Sequence, residues 1–286
     1  MGTSVLVIGA TGTQGGAVAE VLLANGHRVL AGTRDPGSER AELLRAKGAE
    51  PVRVDLTVPG SIGAAAEGVD AVYLVTVPDT GADHERAMGV NAVAELAAAG
   101  VGHVVHSSVA SANRGTGIPH FEGKYRIEQA LEASGVPYTI IAPVFFMDNP
   151  RPSMARSGGR VLAAPIAEST VLQQIAVADI AKFAGLVLAD PARFAGQRIE
   201  IAGDRLTGHE QAAAFSEALG FPVRYQPIPA DPAMFGPDLT AMFTWFDAGG
   251  YSVDIEALHA AYPEIGWLGF RDWAKKSASV VVEAAS

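Results

Sequence analysis

The stretch Val5-Leu6-Val7-Ile8-Gly9-Ala10-Thr11-Gly12-Thr13-Gln14-Gly15-Gly16-Ala17-Val18-Ala19 decides the fold. An apolar run ends in glycine, and an apolar helical pattern starts a few residues later. Gly9 lets the chain turn out of the strand, Gly12 leaves room for backbone to approach a pyrophosphate, and Gly15 lets the helix pack closely on the strand. The helix N-terminus adds N–H groups and the positive end of its dipole. The stretch reads as a dinucleotide-binding strand–turn–helix, with Gly9, Thr11, Gly12, Thr13, Gln14 and Gly15 around the cofactor. The spacing is G-x-x-G-x-x-G rather than G-x-G-x-x-G, and a glycine turn without a ligand is the alternative. Its place between strand and helix, at the start of the sheet, favours the ligand.

Outward from this stretch the period alternates. Ser4–Gly9, Arg28–Thr33, Glu50–Asp55, Ala71–Thr76, His103–Ser108 and Tyr138–Pro143 read as strands. Gln14–Asn25, Gly37–Lys47, Gly60–Gly68, Ala82–Ala99 and Phe121–Ser134 read as the helices between them. Gly26, Gly48, Gly68, Gly100 and Gly135 stand at or just past the helix ends, where a left-handed cap suits glycine. The strands are apolar throughout rather than alternating, as in a parallel sheet covered on both faces. The expected fold class is α/β: a doubly wound parallel Rossmann-type sheet with a smaller α+β C-terminal substrate domain. The expected division is a dinucleotide-binding domain over 1–153, with part of 176–203 returning to it, and a substrate-covering domain over 154–286.

After Pro143 the regularity breaks. Residues 144–175 hold Asn149-Pro150-Arg151-Pro152 and Ser157-Gly158-Gly159, which predict turns and loops around short helices. Ala178–Leu188 and Thr207–Leu219 read as helices, and Arg198–Ile201 and Val223–Gln226 as short strands. Asp231–Asp247 reads as helix in part, interrupted or capped at Pro232 and Pro237. Its Met234, Phe235, Met242, Phe243, Trp245 and Phe246 suit either an apolar pocket for a flat substrate or plain core. Leu268–Ala284 reads as a closing helix.

Composition narrows the partners. The 286 residues are 49% hydrophobic and 18% charged, as in a globular protein. Lys and Arg number 21 against 31 Asp and Glu, a net charge of −10 that repels nucleic-acid backbones and anionic membranes. The densest basic cluster is Lys275-Lys276. With no cysteine, disulfides, thiol catalysis and Cys-based metal sites are excluded, and a cytoplasmic setting fits. The four-residue apolar run Val5–Ile8 is short of a secretory core, and no stretch approaches the roughly 20 apolar residues of a membrane span. A small-molecule substrate, no metal, no nucleic acid and no membrane are expected; monomer and homodimer both remain open.

Arg34 ends the second strand, where NAD-specific proteins place an acid on the adenosine ribose. A guanidinium there can grip a 2′-phosphate with a planar fork, so NADP(H) is the expected cofactor. Pairing of Arg34 with Asp35 is the alternative. Asp55-Leu56 ends the third strand, either flanking the adenine or with Asp55 capping a helix. In such sheets ligands lie outside the carboxyl ends of the strands. That places Thr76-Val77-Pro78 and Ser107-Ser108 at the cofactor. Beyond them, His120 and Lys124 are four apart and share one helix face.

These residues carry a resemblance. Gly9-Ala-Thr-Gly12-Thr-Gln14-Gly15, Arg34-Asp35, His120-Phe121-Glu-Gly-Lys124, Ala142-Pro143-Val-Phe-Phe146-Met-Asp-Asn149, Val177-Ala-Asp179-Ile180-Ala and Ile201-Ala-Gly203-Asp204-Arg-Leu206-Thr207 resemble the NmrA-like branch of the atypical short-chain dehydrogenase/reductases, over nearly the whole chain. The resemblance implies a dinucleotide in a cleft between two domains, Lys124 on the nicotinamide ribose, and Pro143 and Phe146 among the cofactor contacts. Typical short-chain reductases use Tyr-x-x-x-Lys, but none of the six tyrosines here precedes a lysine at that spacing, and His120 takes the place. An imidazolium could give the proton in its stead; a capping or loop histidine after Pro119 is the alternative. Relatives of this branch include reductases of quinones, dyes and other conjugated compounds, and also cofactor-sensing regulators. Two functions therefore remain open: an NADPH-dependent reductase of a small apolar conjugated or carbonyl/quinone-type substrate, with His120 and Lys124 catalytic, and a non-catalytic NADP(H) sensor acting through a protein partner.

Overall fold

The computed structural model describes residues 2–77, 81–149, 154 and 157–283. The chain forms two compact units, the first comprising Met1–Gly115, Pro119–Ala142 and Ile180–Glu200. Its strands are β1 (Ser4–Ile8), β2 (Arg28–Thr33), β3 (Glu50–Arg53), β4 (Ala71–Val75), β5 (His103–Ser107) and β6 (Tyr138–Pro143), separated by α1 (Thr13–Ala24), α2 (Glu39–Ala46), α3 (Ser61–Ala66), α4 (Ala82–Ala98) and α5 (Pro119–Ala133). A seventh strand, which we number β10 (Gln197–Ile201), completes the sheet in the order β10-β6-β5-β4-β1-β2-β3. The pairs from β3 across to β6 are parallel. Parallel neighbours need crossovers, and the helices supply them. The order runs outward in opposite directions from β1 and β4, and that reversal opens a crevice at the strands' carboxyl ends.

Leu6, Ile8, Val72, Leu74, Val104 and Ile140 from the strands pack with Ile62, Val93, Leu96, Ile127 and Leu131 from the helices, all essentially inaccessible to water. Helices α4 and α5 come unusually close, because a Cβ on Gly89 would lie 2.2 Å from Ile127 Cδ1. The helix-end glycines Gly26, Gly48, Gly68, Gly100 and Gly135 all have positive φ, as the sequence predicts.

The second unit comprises Thr116–Ile118, Pro143–Asp179 and Ile201–Ser286. Here β7 (Phe145–Phe146), β9 (Leu172–Ile175) and β11 (Asp204–Leu206) form a three-stranded sheet, and β8 (Val161–Ala164) pairs with β12 (Arg224–Pro227). Residues 144–175, read from the sequence as loops around short helices, thus contribute three strands. Strands of two to four residues are too short to display a period, and their pairing partners lie far along the chain. The helices are α6 (Val177–Ala189) and α7 (Pro191–Phe194), which lead back through the first unit, then α8 (Gly208–Leu219), α9 (Pro232–Asp247), α10 (Ile255–Ala261) and α11 (Phe270–Glu283). A capping box, Thr207 with Glu210, starts α8. The expected interruption of α9 falls at Gly236, with φ 72° and ψ 168° just before Pro237. Met147, Leu162, Phe215, Phe270 and Trp273 make this unit's core. Among the described residues no helix is long and apolar enough to cross a membrane.

Candidate functional site

The glycine loop is a cradle made of backbone. Gly9 turns with φ +74°, Gly12 N–H donates to Gly9 O at 2.9 Å, and Gly16 N–H to Gly12 O at 2.9 Å. A Cβ on Gly15 would lie 2.3 Å from Gly9 O, so only glycine lets α1 start this close to β1. Gly12 is the N-cap of α1, which has neither a side-chain cap nor an acid in its first turn. The loop makes the turn between β1 and α1 that its glycine spacing predicts. The Gln14 side chain is buried and donates to Ser107 Oγ at 2.7 Å, so it ties the loop to the end of β5. Thr11 Oγ1 lies 3.2 Å from Thr33 Oγ1, tying the loop to the end of β2.

At the end of β2, Arg34 is exposed. The Asp35 carboxylate accepts from Gly37 N–H at 3.0 Å and so shapes the turn into α2. Arg40 Nη1, on α2, donates to Thr11 O at 3.2 Å. A second guanidinium therefore stands at the loop. Sequence reasoning missed it; the available signal was a basic residue in the first turn of the helix after Arg34. Asp55 accepts from Thr57 N–H at 2.9 Å and Thr57 Oγ1 at 2.7 Å. Those bonds, helped by Arg34 and Arg53, hold its carboxyl below the usual range. Gly60 is the N-cap of α3, which removes the helix-cap reading of Asp55. Leu56 is half-buried against the core.

At the ends of β4 and β5 the polar groups are knitted together. Lys124, buried on α5, donates to Glu85 Oε1 at 2.8 Å, to Thr76 O at 3.1 Å and to Thr76 Oγ1 at 3.3 Å. Thr76 Oγ1 itself donates to Glu85 Oε1 at 2.7 Å. Glu85 is fully buried, and its Oε2 has no partner among the described residues. Sequence reasoning passed over Glu85, an acid on the inward face of α4. His106 lies within the sheet with Nδ1 3.3 Å from Leu74 O, and burial, then the charge of Lys124, pushes it down to about 3. Ser108 Oγ donates to Glu128 Oε1, and Arg198 Nε donates to Glu128 Oε2 at 2.8 Å. Arg198 also reaches Glu200 Oε1 at 2.8 Å and Val109 O at 3.0 Å, and Glu200 Oε1 accepts from Ser111 N–H at 2.7 Å. Burial pushes Glu128 up against the opposing pull of Arg198. Both Ser107 and Ser108 hydroxyls are thus engaged inside the protein. Val77 is exposed, and Pro78 lies outside the described residues. His120 is half-buried at the start of α5, edge-on to Phe121 at 4.8 Å, one turn before Lys124.

In the second unit Pro143 is buried, and Phe146 pairs with Ile175 across β7 and β9. The same unit encloses a pocket of about 160 Å3, with Phe145, Tyr225, Phe235, Phe243, Gln174 and Gln211 in its wall. The aromatic run of α9 divides between pocket wall and core. Phe235 and Phe243 line the pocket, while Phe246 is core against Phe145 at 5.6 Å. Met234 does neither and is exposed.

A dinucleotide fits the first unit. The glycines at 9, 12 and 15 leave the loop bare of side chains at those positions, and the Arg40 guanidinium donates to Thr11 O within it. Hydrogen bonds link the loop to the ends of β2 and β5, and Lys124 to the end of β4. Comparison with known proteins points the same way. A family model described as the NmrA-like family matches residues 1–274. The NAD(P)H azoreductase of Xenophilus azovorans is 32% identical over 80% of this chain and 78% of its own. The structure of the Citrobacter sp. triphenylmethane reductase complexed with NADP(H) superposes with a TM-score of 0.81 at 22% identity, covering 97% of this chain and all of that one. NmrA, a negative transcriptional regulator crystallised with NADP, superposes with a TM-score of 0.81 at 21% identity over 99% of this chain and 97% of that one. Glycine loop, sheet order and matched length agree: the chain belongs to the NmrA-like family.

Proposed function

We propose that this protein is an NADPH-dependent reductase of a small apolar substrate, conjugated or carbonyl-bearing, of the quinone type. The observation that carries the reading is the backbone cradle of Gly9–Gly15 with Arg40 donating to it and Arg34 exposed just past the end of β2. When bound, the reduced nicotinamide supplies a hydride. The chain's own residues bind and orient. The first turn of α1 offers N–H groups to the pyrophosphate. Arg34 and Arg40 take the 2′-phosphate through charge-assisted bonds. Lys124 donates to ribose hydroxyls, with Glu85 and Thr76 keeping its ammonium in place. His120, one turn earlier on α5, gives the proton where typical relatives use tyrosine. A conjugated acceptor delocalises the charge it gains, so positioning carries most of the catalysis. The Xenophilus relative is named for reduction with NAD(P)H, which supports the reading.

The test follows NADPH absorbance with quinones, azo compounds, enones and aldehydes. Turnover on one class, lowered at least about tenfold by His120→Ala at neutral pH, is expected. Tight NADPH binding without turnover on any class overturns the reading. That result favours the second reading, an NADP(H) sensor, which the loss of the tyrosine at position 120 supports. The sensor requires unequal affinities for NADPH and NADP+ or a cofactor-dependent partner. Equal affinities with no partner in a pull-down exclude it.

A further inference from the structure

The pocket of about 160 Å3 in the second unit is built from parts that ask for a particular ligand. Its wall is mostly apolar and includes the rings of Phe145, Phe235 and Phe243. Tyr225 contributes its ring, but its hydroxyl is already committed to Ile166 O at 2.7 Å. Gln174, on the central strand of the small sheet, also lines the pocket and is only 1% exposed, yet its Oε1 has no partner among the described residues. A buried acceptor without a donor is destabilising until a donor is supplied. Its strand neighbour Gln173 is satisfied at both ends by Val253, giving to O at 2.8 Å and taking from N–H at 2.9 Å, so the deficit belongs to Gln174 alone of the pair. An apolar cavity of about 150 Å3 accommodates one benzene ring. We infer that this pocket binds a single aromatic ring bearing an O–H or N–H group, a phenol or an aniline, with that group donating to Gln174 Oε1.

One consequence rests on the reductase reading. A quinone that takes a hydride from the reduced nicotinamide and a proton from His120 becomes a hydroquinone, exchanging carbonyl acceptors for O–H donors. A site that demands a donor then favours the reduced over the oxidised ring, and the interaction grows as the oxygen acquires its proton.

The experiment measures binding of para-fluorophenol, para-fluoroanisole and fluorobenzene by fluorine NMR, with no cofactor present. Phenol and anisole share ring and oxygen, but only the phenol can donate. The wild type is expected to bind the phenol roughly tenfold more tightly than the anisole. Gln174→Leu should bring the two within about twofold while retaining fluorobenzene, and Phe243→Ala should weaken all three. Equal affinities of the wild type for phenol and anisole overturn the proposal even if Gln174→Leu does not fold. A phenol preference that survives in folded Gln174→Leu also overturns it. NADPH turnover is a separate measurement: a phenol preference without turnover leaves the pocket and removes the reductase reading, and the converse pair of results does the opposite.

Discussion

At the scale of single residues, charge decides. Arg34 is exposed and Arg40 already touches the loop, so both can meet an added phosphate without rearranging the core. Each charge-assisted bond is worth about 1.5–3 kcal/mol. Arg34→Ala and Arg40→Ala should each raise the Kd for NADPH by about tenfold or more while leaving NADH nearly unchanged. Fluorescence titration with both cofactors checks this, and equal weakening of the two removes the 2′-phosphate assignment. Glu85 faces the opposite situation: it is fully buried and neutralises Lys124. Glu85→Gln leaves the ammonium without its countercharge and should cost about 3–5 kcal/mol in urea denaturation. The double variant Glu85→Leu with Lys124→Met should recover most of that loss, though not cofactor binding. His106 adds a pH dependence. Its folded pKa of about 3 lies below the ordinary 6.5, so the unfolded chain takes up a proton that the folded one refuses. The stability it contributes is complete above about pH 6.5 and is lost as pH falls toward 3. Between about pH 6.5 and 3 the wild type should lose up to about 1.4 kcal/mol per pH unit more than His106→Leu, as denaturation at stepped pH would show.

At the scale of elements, backbone geometry takes over. The start of α1 against β1 depends on the missing Cβ of Gly15, whose addition would meet Gly9 O at 2.3 Å. The obstacle is backbone, which cannot swing aside as a side chain would. Gly15→Ala should therefore destabilise by about 1–3 kcal/mol and weaken dinucleotide binding with either cofactor alike, since the pyrophosphate cradle itself moves. Thermal denaturation combined with NADH and NADPH titration separates this from the selective loss at Arg34.

At the scale of the whole molecule, long-range polar links hold the first unit's elements in register. Glu128 on α5, Arg198 and Glu200 on β10, and Ser108, Val109 and Ser111 after β5 form one partly buried network around the fully buried Glu128. Arg198→Ala leaves the Glu128 carboxylate buried without its guanidinium and should lower stability by about 3–5 kcal/mol, with the loss relieved at acidic pH as Glu128 protonates. Guanidinium denaturation at two pH values reads both effects.

The sequence by itself determined the doubly wound sheet, because strands buried on both faces are apolar along their length and the helices between them keep their own period. It determined the cradle too: glycine positions follow from local sterics, and Gly9, Gly12 and Gly15 answer requirements set within a few residues. Arg34 was legible for the same reason, standing where one strand ends. Only the tertiary structure decided which acids are buried. Glu85 and Glu128 look like ordinary helix carboxylates until packing turns those faces onto β4 and β5, where each must find a partner. It also decided Arg40, whose reach to Thr11 spans two elements, and the short strands from Phe145 to Ile175, whose partners are distant in sequence. The glycine loop is written in neighbouring residues, whereas Lys124 with Glu85, and Gln174 in its pocket, are written in contacts between elements.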